Sequence, residues 1–358
     1  MLNDREQEVY SRQILLSGIG IEGQEKLKEA KVLLVGAGGL GSPTAIYLAA
    51  AGIGTLGIID GDQVSLSNLH RQILYDEGDI SKDKAETAGN ILKKRYNTRV
   101  IPYNYPLTKD NALGLFREYD VIVNGSDNFP TRYLANDAAV LTGKPLVDAS
   151  ILGFQGQATT YIPGNGCYRC LFPEPPEPGA IPTCSDAGVI GPIAGHLGTL
   201  QALETIKLIL EIGETLANRL LLIDGLYGDY QTVEWERDPN CSVCGDNPSI
   251  RKLIDYDEFC TTRTPSDWEI TNSQVDALLR TGQYRILDIR SNWEVKRHKI
   301  PDAVHIPLSN LEQQIGMLDR YFRYIVVCTS GNKSIVATMI LRDHGYEAFN
   351  LKNGLRAR

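Results

Sequence analysis

The chain carries no excess of positive charge: 36 Lys and Arg stand against 44 Asp and Glu, a net charge of −8 over 358 residues. Surfaces built to hold nucleic acid carry the opposite balance, so no direct binding of DNA or RNA is expected. Met1–Ala30 has no apolar core of the secretory kind, and a cytoplasmic location is the expectation. A membrane span is missing as well. The one long uncharged run, Val32–Ile59, is broken by seven glycines and Pro43 and changes midway from strand-like to helix-like. Seven cysteines form an odd set, and without an export signal they read as metal ligands or reactive thiols, not as a disulfide framework.

What remains is ordinary globular material, 42% hydrophobic and 22% charged, long enough for two domains. The charge is unevenly divided. Residues 251–358 hold 16 basic and 13 acidic side chains, whereas residues 1–250 hold 20 and 31. That asymmetry suggests two units with different chemistry.

After a polar start expected to be helical over Glu6–Lys31, short apolar runs alternate with helical segments. Strands are expected at Lys31–Val35, Thr55–Ile59, Arg99–Tyr103, Asp120–Val123 and Pro145–Ala149, with helices at Ser42–Ala51 and Lys82–Tyr96. The alternation predicts an α/β fold, a doubly wound and mostly parallel sheet of the Rossmann kind. Five prolines between Pro173 and Pro182 predict an exposed loop. His196, among small residues of an apolar segment, reads as a packed or polar-capped histidine. Gly245–Ser266 is polar and irregular, so a domain over residues 1–245 and a linker over 246–265 are expected. A second, smaller α/β domain over 266–358 follows, with strands at Tyr284–Ile289 and Tyr324–Cys328 and a helix at Ser334–His344.

Gly36, Gly38, Gly39 and Gly41 lie between the first strand and the first helix of the sheet. Such glycines allow a tight turn and bring backbone N–H groups against phosphate at a helix N-terminus. Asp60 ends the second strand, where a carboxylate can accept from ribose hydroxyls. This much suits a nicotinamide dinucleotide or ATP. The cations Arg71 and Lys84, beside Asn68, His70 and Gln72, tip the balance toward a triphosphate, whose departing pyrophosphate needs fixed positive charge. Asp127 follows a buried strand, and its hard oxygens suit Mg²⁺. Cys167 and Cys170, with Cys241 and Cys244, form two Cys-x-x-Cys pairs, the donor set of a closed structural Zn²⁺ site. Cys328 opens a loop between a strand and a helix, where N–H groups stabilise a thiolate or persulfide, with Lys333 adding charge.

The segments GAGGLGSP, DGDQVSLSNLHRQIL and GSDN, with Arg12 and Gln13 near the start, closely resemble the MoeB/ThiF adenylyltransferase family, relatives of the ubiquitin-activating enzymes. The resemblance implies adenylation, with ATP and Mg²⁺, of the C-terminal glycine of a small ubiquitin-like sulfur-carrier protein ending in Gly-Gly. By matching position, Asp60 would hold the ribose, Asn68 and Gln72 would line the nucleotide site, and Arg71 and Lys84 would stabilise the phosphates. Asp127 would bind Mg²⁺, and Arg12 would reach the ATP of a second subunit, which implies a homodimer. The family cysteine at the position of Cys184 can become linked to the activated carrier. Residues 266–358 resemble a rhodanese-type sulfurtransferase, which makes Cys328 the persulfide-forming nucleophile, although Lys333 stands where arginine is common. The reading is therefore an adenylyltransferase joined to a sulfurtransferase, supplied by a persulfide donor such as a cysteine desulfurase. Molybdopterin, thiamine and tRNA-thiolation pathways all use such carriers. A nicotinamide-dependent oxidoreductase and a non-catalytic scaffold are the rival readings.

Overall fold

The computed structural model describes residues 1–176, 188–260, 266–329, 331–352 and 354–357. Cys184 and most of the proline-rich loop lie outside them. The described chain divides into two units, one ending at Phe259 and the other beginning at Cys260.

The first unit is built on an eight-stranded sheet in the order β3-β2-β1-β4-β5-β6-β7-β8. Its strands are β1 (Lys31–Val35), β2 (Thr55–Ile59), β3 (Arg99–Tyr103), β4 (Val121–Asn124), β5 (Leu146–Leu152), β6 (Gln155–Tyr161), β7 (Arg219–Asp224) and β8 (Asp229–Glu234). The five from β3 to β5 are parallel, as the alternation of helices and strands predicts. Short turns after β5 and β7 return the chain directly, so β5 to β8 are antiparallel. The inner parallel strands β1, β2 and β4 are mostly apolar and buried because helices cover them. Val32, Leu34, Leu56 and Ile58 are fully buried in one core with Leu48 and Ala49 of the helix Gly41–Ala50. Strand order reverses between β1 and β4, and this switch point is where open α/β sheets bind ligands.

The polar start is three helices, Asp4–Val9, Ser11–Ile14 and Gly20–Glu29, not the single one expected. Tyr10 breaks the first turnover by burying its ring against Gly52, while Gln13 and Gln24 both donate to the Ala51 carbonyl. Gly20 then takes φ +61°, a left-handed turn that glycine adopts without strain. His196 is exposed, its ring edge-on to Tyr230 at 5.8 Å, so it is not buried in the core.

Within the stretch read as a linker, Tyr256–Cys260 is helical and Tyr256 is buried. Tyr256 donates to Asp137 Oδ2 at 2.8 Å, and Arg169 grips the same carboxylate through two 2.9 Å hydrogen bonds. The Arg169 guanidinium also lies 4.4 Å from the Phe259 ring centroid. A fully buried ion pair of this kind holds only while both partners and their hydrogen bonds are present.

The second unit is a five-stranded parallel sheet in the order β11-β10-β12-β13-β9. Its strands are β9 (Glu269–Ile270), β10 (Tyr284–Asp288), β11 (Val304–His305), β12 (Arg323–Val327) and β13 (Ala348–Leu351). The helix Asn332–Asp343 follows the central strand β12 and covers one face. No helix among the described residues is long and apolar enough to cross a membrane.

Arg169→Ala leaves the Asp137 charge buried, and a loss of about 3–5 kcal/mol of stability is expected in urea unfolding. A loss below roughly 1 kcal/mol, the size of an exposed pair, would show that the pair does not hold this segment.

Candidate functional site

The glycine loop closes because backbone meets backbone with no room between. A Cβ at Gly41 would lie 2.0 Å from the Gly36 carbonyl oxygen, and one at Gly36 would lie 3.1 Å from the Gly125 backbone. Gly36 also takes φ +91°. The loop therefore presses against the end of β4, and the helix Gly41–Ala50 starts immediately beyond it. Its dipole favours an anion there.

The sequence-predicted residues converge on this loop. Asp60 at the end of β2 accepts from the Ala37 N–H at 2.8 Å and from the Asp62 N–H at 2.8 Å. Burial pushes the Asp60 carboxyl up, against the opposing pull of Lys84 and those two N–H donors. Asn68 ends a short 3-10 turn, Leu66–Asn68, and its carbonyl accepts from the N–H groups of Arg71 and Gln72. That turn lays the Arg71 stem 3.5 Å from the Cβ position of Gly39 and Gln72 Nε2 3.6 Å from that of Gly38. Arg71 Nη1 is steadied by the Ser67 carbonyl at 3.2 Å and by His70 Nε2 at 2.8 Å. Lys84 opens the helix Lys84–Arg95, with its side chain 6% exposed and paired with Asp62 at 3.0 Å. Asp127 is exposed two residues beyond Gly125, just before Asn128 caps the helix Phe129–Thr142.

The residues fit a nucleotide. Two buried polar atoms of this region, Ser42 Oγ and Gln72 Oε1, have no hydrogen-bond partner among the described residues. The first can donate to a phosphate and the second can accept from a hydroxyl or amine.

Two supports escaped the sequence reading. Tyr75 hydroxyl lies 2.9 Å from the Ala37 carbonyl and 3.2 Å from that of Lys84, and burial lifts its phenol far above the usual range. Beneath the loop, Arg132 donates to Asp148 at 2.7 Å and to the Ser126 carbonyl at 3.1 Å. Asn124 donates to the other Asp148 oxygen and accepts from Ser126, so this network sets the strand end from which Asp127 projects. Arg132, Asp148 and Tyr75 read as ordinary helix, strand and turn residues, and only tertiary contacts bring them together.

Arg12 is not brought to the loop. It is exposed, and its neighbours Tyr10 and Gln13 are seated on Gly52 and Ala51, past the far end of the helix Gly41–Ala50. That helix spans about 15 Å at 1.5 Å per residue.

The four paired cysteines do converge, with all sulfurs within 4.8 Å of one another. Cys167 and Cys241 sulfurs are 3.6 Å apart and those of Cys170 and Cys244 are 3.4 Å apart. Four thiolates at about 2.3 Å from a tetrahedral Zn²⁺ have sulfurs about 3.8 Å apart, so the set fits that ion. Arg237 donates twice to the Cys244 carbonyl and fixes the second pair.

In the second unit Cys328 is buried just past the C-terminal end of β12. Its sulfur accepts from the Gly331 N–H at 3.1 Å and lies 3.3 Å from Ser334 Oγ. Glu294 Oε1 takes the Thr329 hydroxyl at 2.8 Å, tying the loop to the helix Asn292–Arg297. Arg290 is held by Asp288, whose hydrogen bonds raise the guanidinium pKa, and its carbonyl contacts His305 Nε2 at 2.8 Å. Lys333 is half-buried, and that burial lowers its ammonium pKa.

Such an arrangement of glycine loop, acidic strand end and flanking cations defines a nucleotide-binding α/β enzyme fold, with a separate domain that cradles a buried cysteine. Residues 10–243 match the model of the ThiF family, and residues 271–357 match that of the Rhodanese-like domain. The chain belongs to the ThiF family and carries a rhodanese-like domain. It is similar to the adenylyltransferase and sulfurtransferase MOCS3 of Culex quinquefasciatus, 42% identical over 359 residues, covering 94% of this chain and 82% of that protein. The protein of the same name from Arabidopsis thaliana is 40% identical over 381 residues, covering 97% and 82%. That of Sus scrofa is 41% identical over 365 residues, covering 93% and 80%. Among solved structures, E. coli MccB with ATP superposes with a TM-score of 0.60 at 29% identity, over 68% of this chain and 75% of that one.

Gly41→Ala is expected to lower the thermal midpoint and to abolish ATP binding in calorimetry, because backbone cannot swing away as a side chain can. Wild-type ATP affinity in that variant would show that the loop tolerates opening.

Proposed function

We propose that this chain is an adenylyltransferase and sulfurtransferase that activates the C-terminal glycine of a small ubiquitin-like sulfur-carrier protein and replaces its oxygen with sulfur. The observation that carries the reading is the convergence of Asp60, Arg71, Gln72 and Lys84 on one glycine loop, in a chain that also holds a buried Cys328 cradle. The relatives named adenylyltransferase and sulfurtransferase support it across more than nine-tenths of the chain. Neither a nicotinamide-dependent reaction nor a purely binding role has support of that kind.

A carboxylate is a poor electrophile, and bringing it to ATP sets two anions together. In the proposed first step a glycine carboxylate oxygen attacks the α-phosphorus and pyrophosphate leaves. Asp60 and Gln72 orient the nucleoside, while Arg71 and Lys84 draw off the developing charge. Lys84 is already desolvated, and its partner Asp62 is 78% exposed and free to turn to water. Asp127 would hold Mg²⁺, which would supply charge neutralisation at the phosphates. Arg12, seated away from its own loop, serves the ATP of a second copy in a homodimer. In the second step the terminal sulfur of a Cys328 persulfide attacks the acyl-adenylate and AMP leaves. A second thiol, assigned to Cys184, then attacks Cys328 Sγ and releases the carrier thiocarboxylate, leaving a disulfide for a thiol reductant. A cysteine desulfurase is the assigned persulfide donor. Cys167, Cys170, Cys241 and Cys244 would hold Zn²⁺ in a structural role, because four thiolates leave no open position.

Pyrophosphate exchange dependent on a Gly-Gly-ended carrier tests the first step. Wild type and Cys328→Ala should exchange, and Asp127→Ala should lose at least about a hundredfold, the scale of a lost charge-stabilising group. Exchange lost in Cys328→Ala would contradict the division of labour. For the metal site, elemental analysis should find one zinc per chain, with Cys167→Ser losing both metal and thermal stability. Full stability without zinc would remove the structural role.

A further inference from the structure

We infer that Ser334 is a catalytic residue of the sulfur-transfer step, a hydroxyl that turns onto the Cys328 sulfur when that sulfur is anionic. The inference rests on the reading of Cys328 as the sulfur carrier. Ser334 is fully buried in the first turn of the helix Asn332–Asp343, so no water competes for its one proton. Its oxygen lies 3.3 Å from Cys328 Sγ and 2.9 Å from the Gly331 carbonyl. A serine hydroxyl has one O–H to donate and two lone pairs to accept with. While Cys328 is a thiol, Ser334 donates to the Gly331 carbonyl and accepts the S–H. Once the thiol is deprotonated, the sulfur is a pure acceptor and the hydroxyl rotates to donate to it.

The rotation strands nothing. The Gly331 carbonyl keeps a second partner, the Ile335 N–H at 3.3 Å. The anionic sulfur then has two donors, the Gly331 N–H and the Ser334 O–H, at the N-terminus of a twelve-residue helix. In a buried site a donor to an ionised group is worth roughly twice a neutral hydrogen bond.

The step it serves is balanced without an external oxidant. The Cys328 thiolate lone pair attacks the outer sulfur of a persulfide donor, R–S–SH. The new bond joins Cys328 Sγ to that sulfur, and the bonding pair of the broken S–S bond leaves with the donor as thiolate, R–S⁻. The proton on the outer sulfur stays, and Ser334 keeps its own. Ser334 stabilises the attacking thiolate.

The test loads the full chain with cysteine persulfide in a single turnover, trapping and reading the Cys328 peptide by mass spectrometry. Ser334→Ala should lower the loading rate at saturating donor about tenfold, the loss of one hydrogen bond to a charged group, with the half-saturating concentration unchanged. Thr338→Ala is the control, since Thr338 is equally buried one turn on and donates to the Ser334 carbonyl at 2.7 Å, away from the sulfur. It should load like wild type. Ser334→Thr, which restores a hydroxyl, should recover most of the rate and covers the case in which Ser334→Ala melts early. Wild-type loading in Ser334→Ala, equal slowing in Thr338→Ala, or no recovery in Ser334→Thr would each overturn the role. Absence of label on Cys328 of the wild type would instead overturn the reading of Cys328 itself.

Discussion

At the end of β1 the chain turns so tightly that three stretches of backbone touch, and no side chain fits between them. Gly36, Gly41 and Gly125 meet there, and the rest of the first site is assembled around that contact. Because Gly41 lies against the Gly36 carbonyl, the helix Gly41–Ala50 begins just beyond the C-terminal end of β1, with its positive dipole end at the switch point. Because Gly36 lies against Gly125, the strand end that bears Asp127 is beside the same loop. Ala37, between them, is held from one side by Asp60 and from the other by Tyr75. Substituting the glycines would therefore disturb the acidic, basic and phosphate-facing groups together.

The second unit solves a related problem with the same local device. A parallel strand ends, a short loop turns, and a helix N-terminus faces the loop. On the proposed function, the first site receives anionic groups from its substrates and surrounds them with cations. The second would generate its own anion at Cys328, beside the neutral groups of Gly331 and Ser334. Burial lowers the Lys333 ammonium pKa, whereas N–H and O–H donors bring no net charge into the buried loop. The four-cysteine cluster joins sequence positions 74 residues apart, and a metal held by it would serve geometry more than chemistry.

Much of this was legible in the residues. The strands Lys31–Val35, Thr55–Ile59 and Arg99–Tyr103 lie where their apolar runs predict, and the two Cys-x-x-Cys pairs meet as their spacing predicts. Local chemistry speaks plainly where one short segment carries the function, as in the glycine loop and around Cys328. It is silent where function depends on distant partners. Arg132 and Asp148 look like unremarkable polar positions until the sheet stacks them under Ser126. Tyr256 sits in a polar stretch with no strong pattern, yet it is buried through one hydrogen bond to Asp137. The broken N-terminal helix has the same cause, since the ring of Tyr10 finds its place only once Gly52 is beside it.

The central claim is that adenylation in one unit and a Cys328 persulfide in the other act in succession on one carrier. Mass spectrometry of a Gly-Gly-ended carrier, after incubation with ATP and persulfide-loaded chain, tests it most directly. The account predicts a carrier mass shifted by one oxygen-to-sulfur exchange, requiring ATP and absent with Cys328→Ala. A thiocarboxylate formed equally well by Cys328→Ala under the same conditions would contradict it.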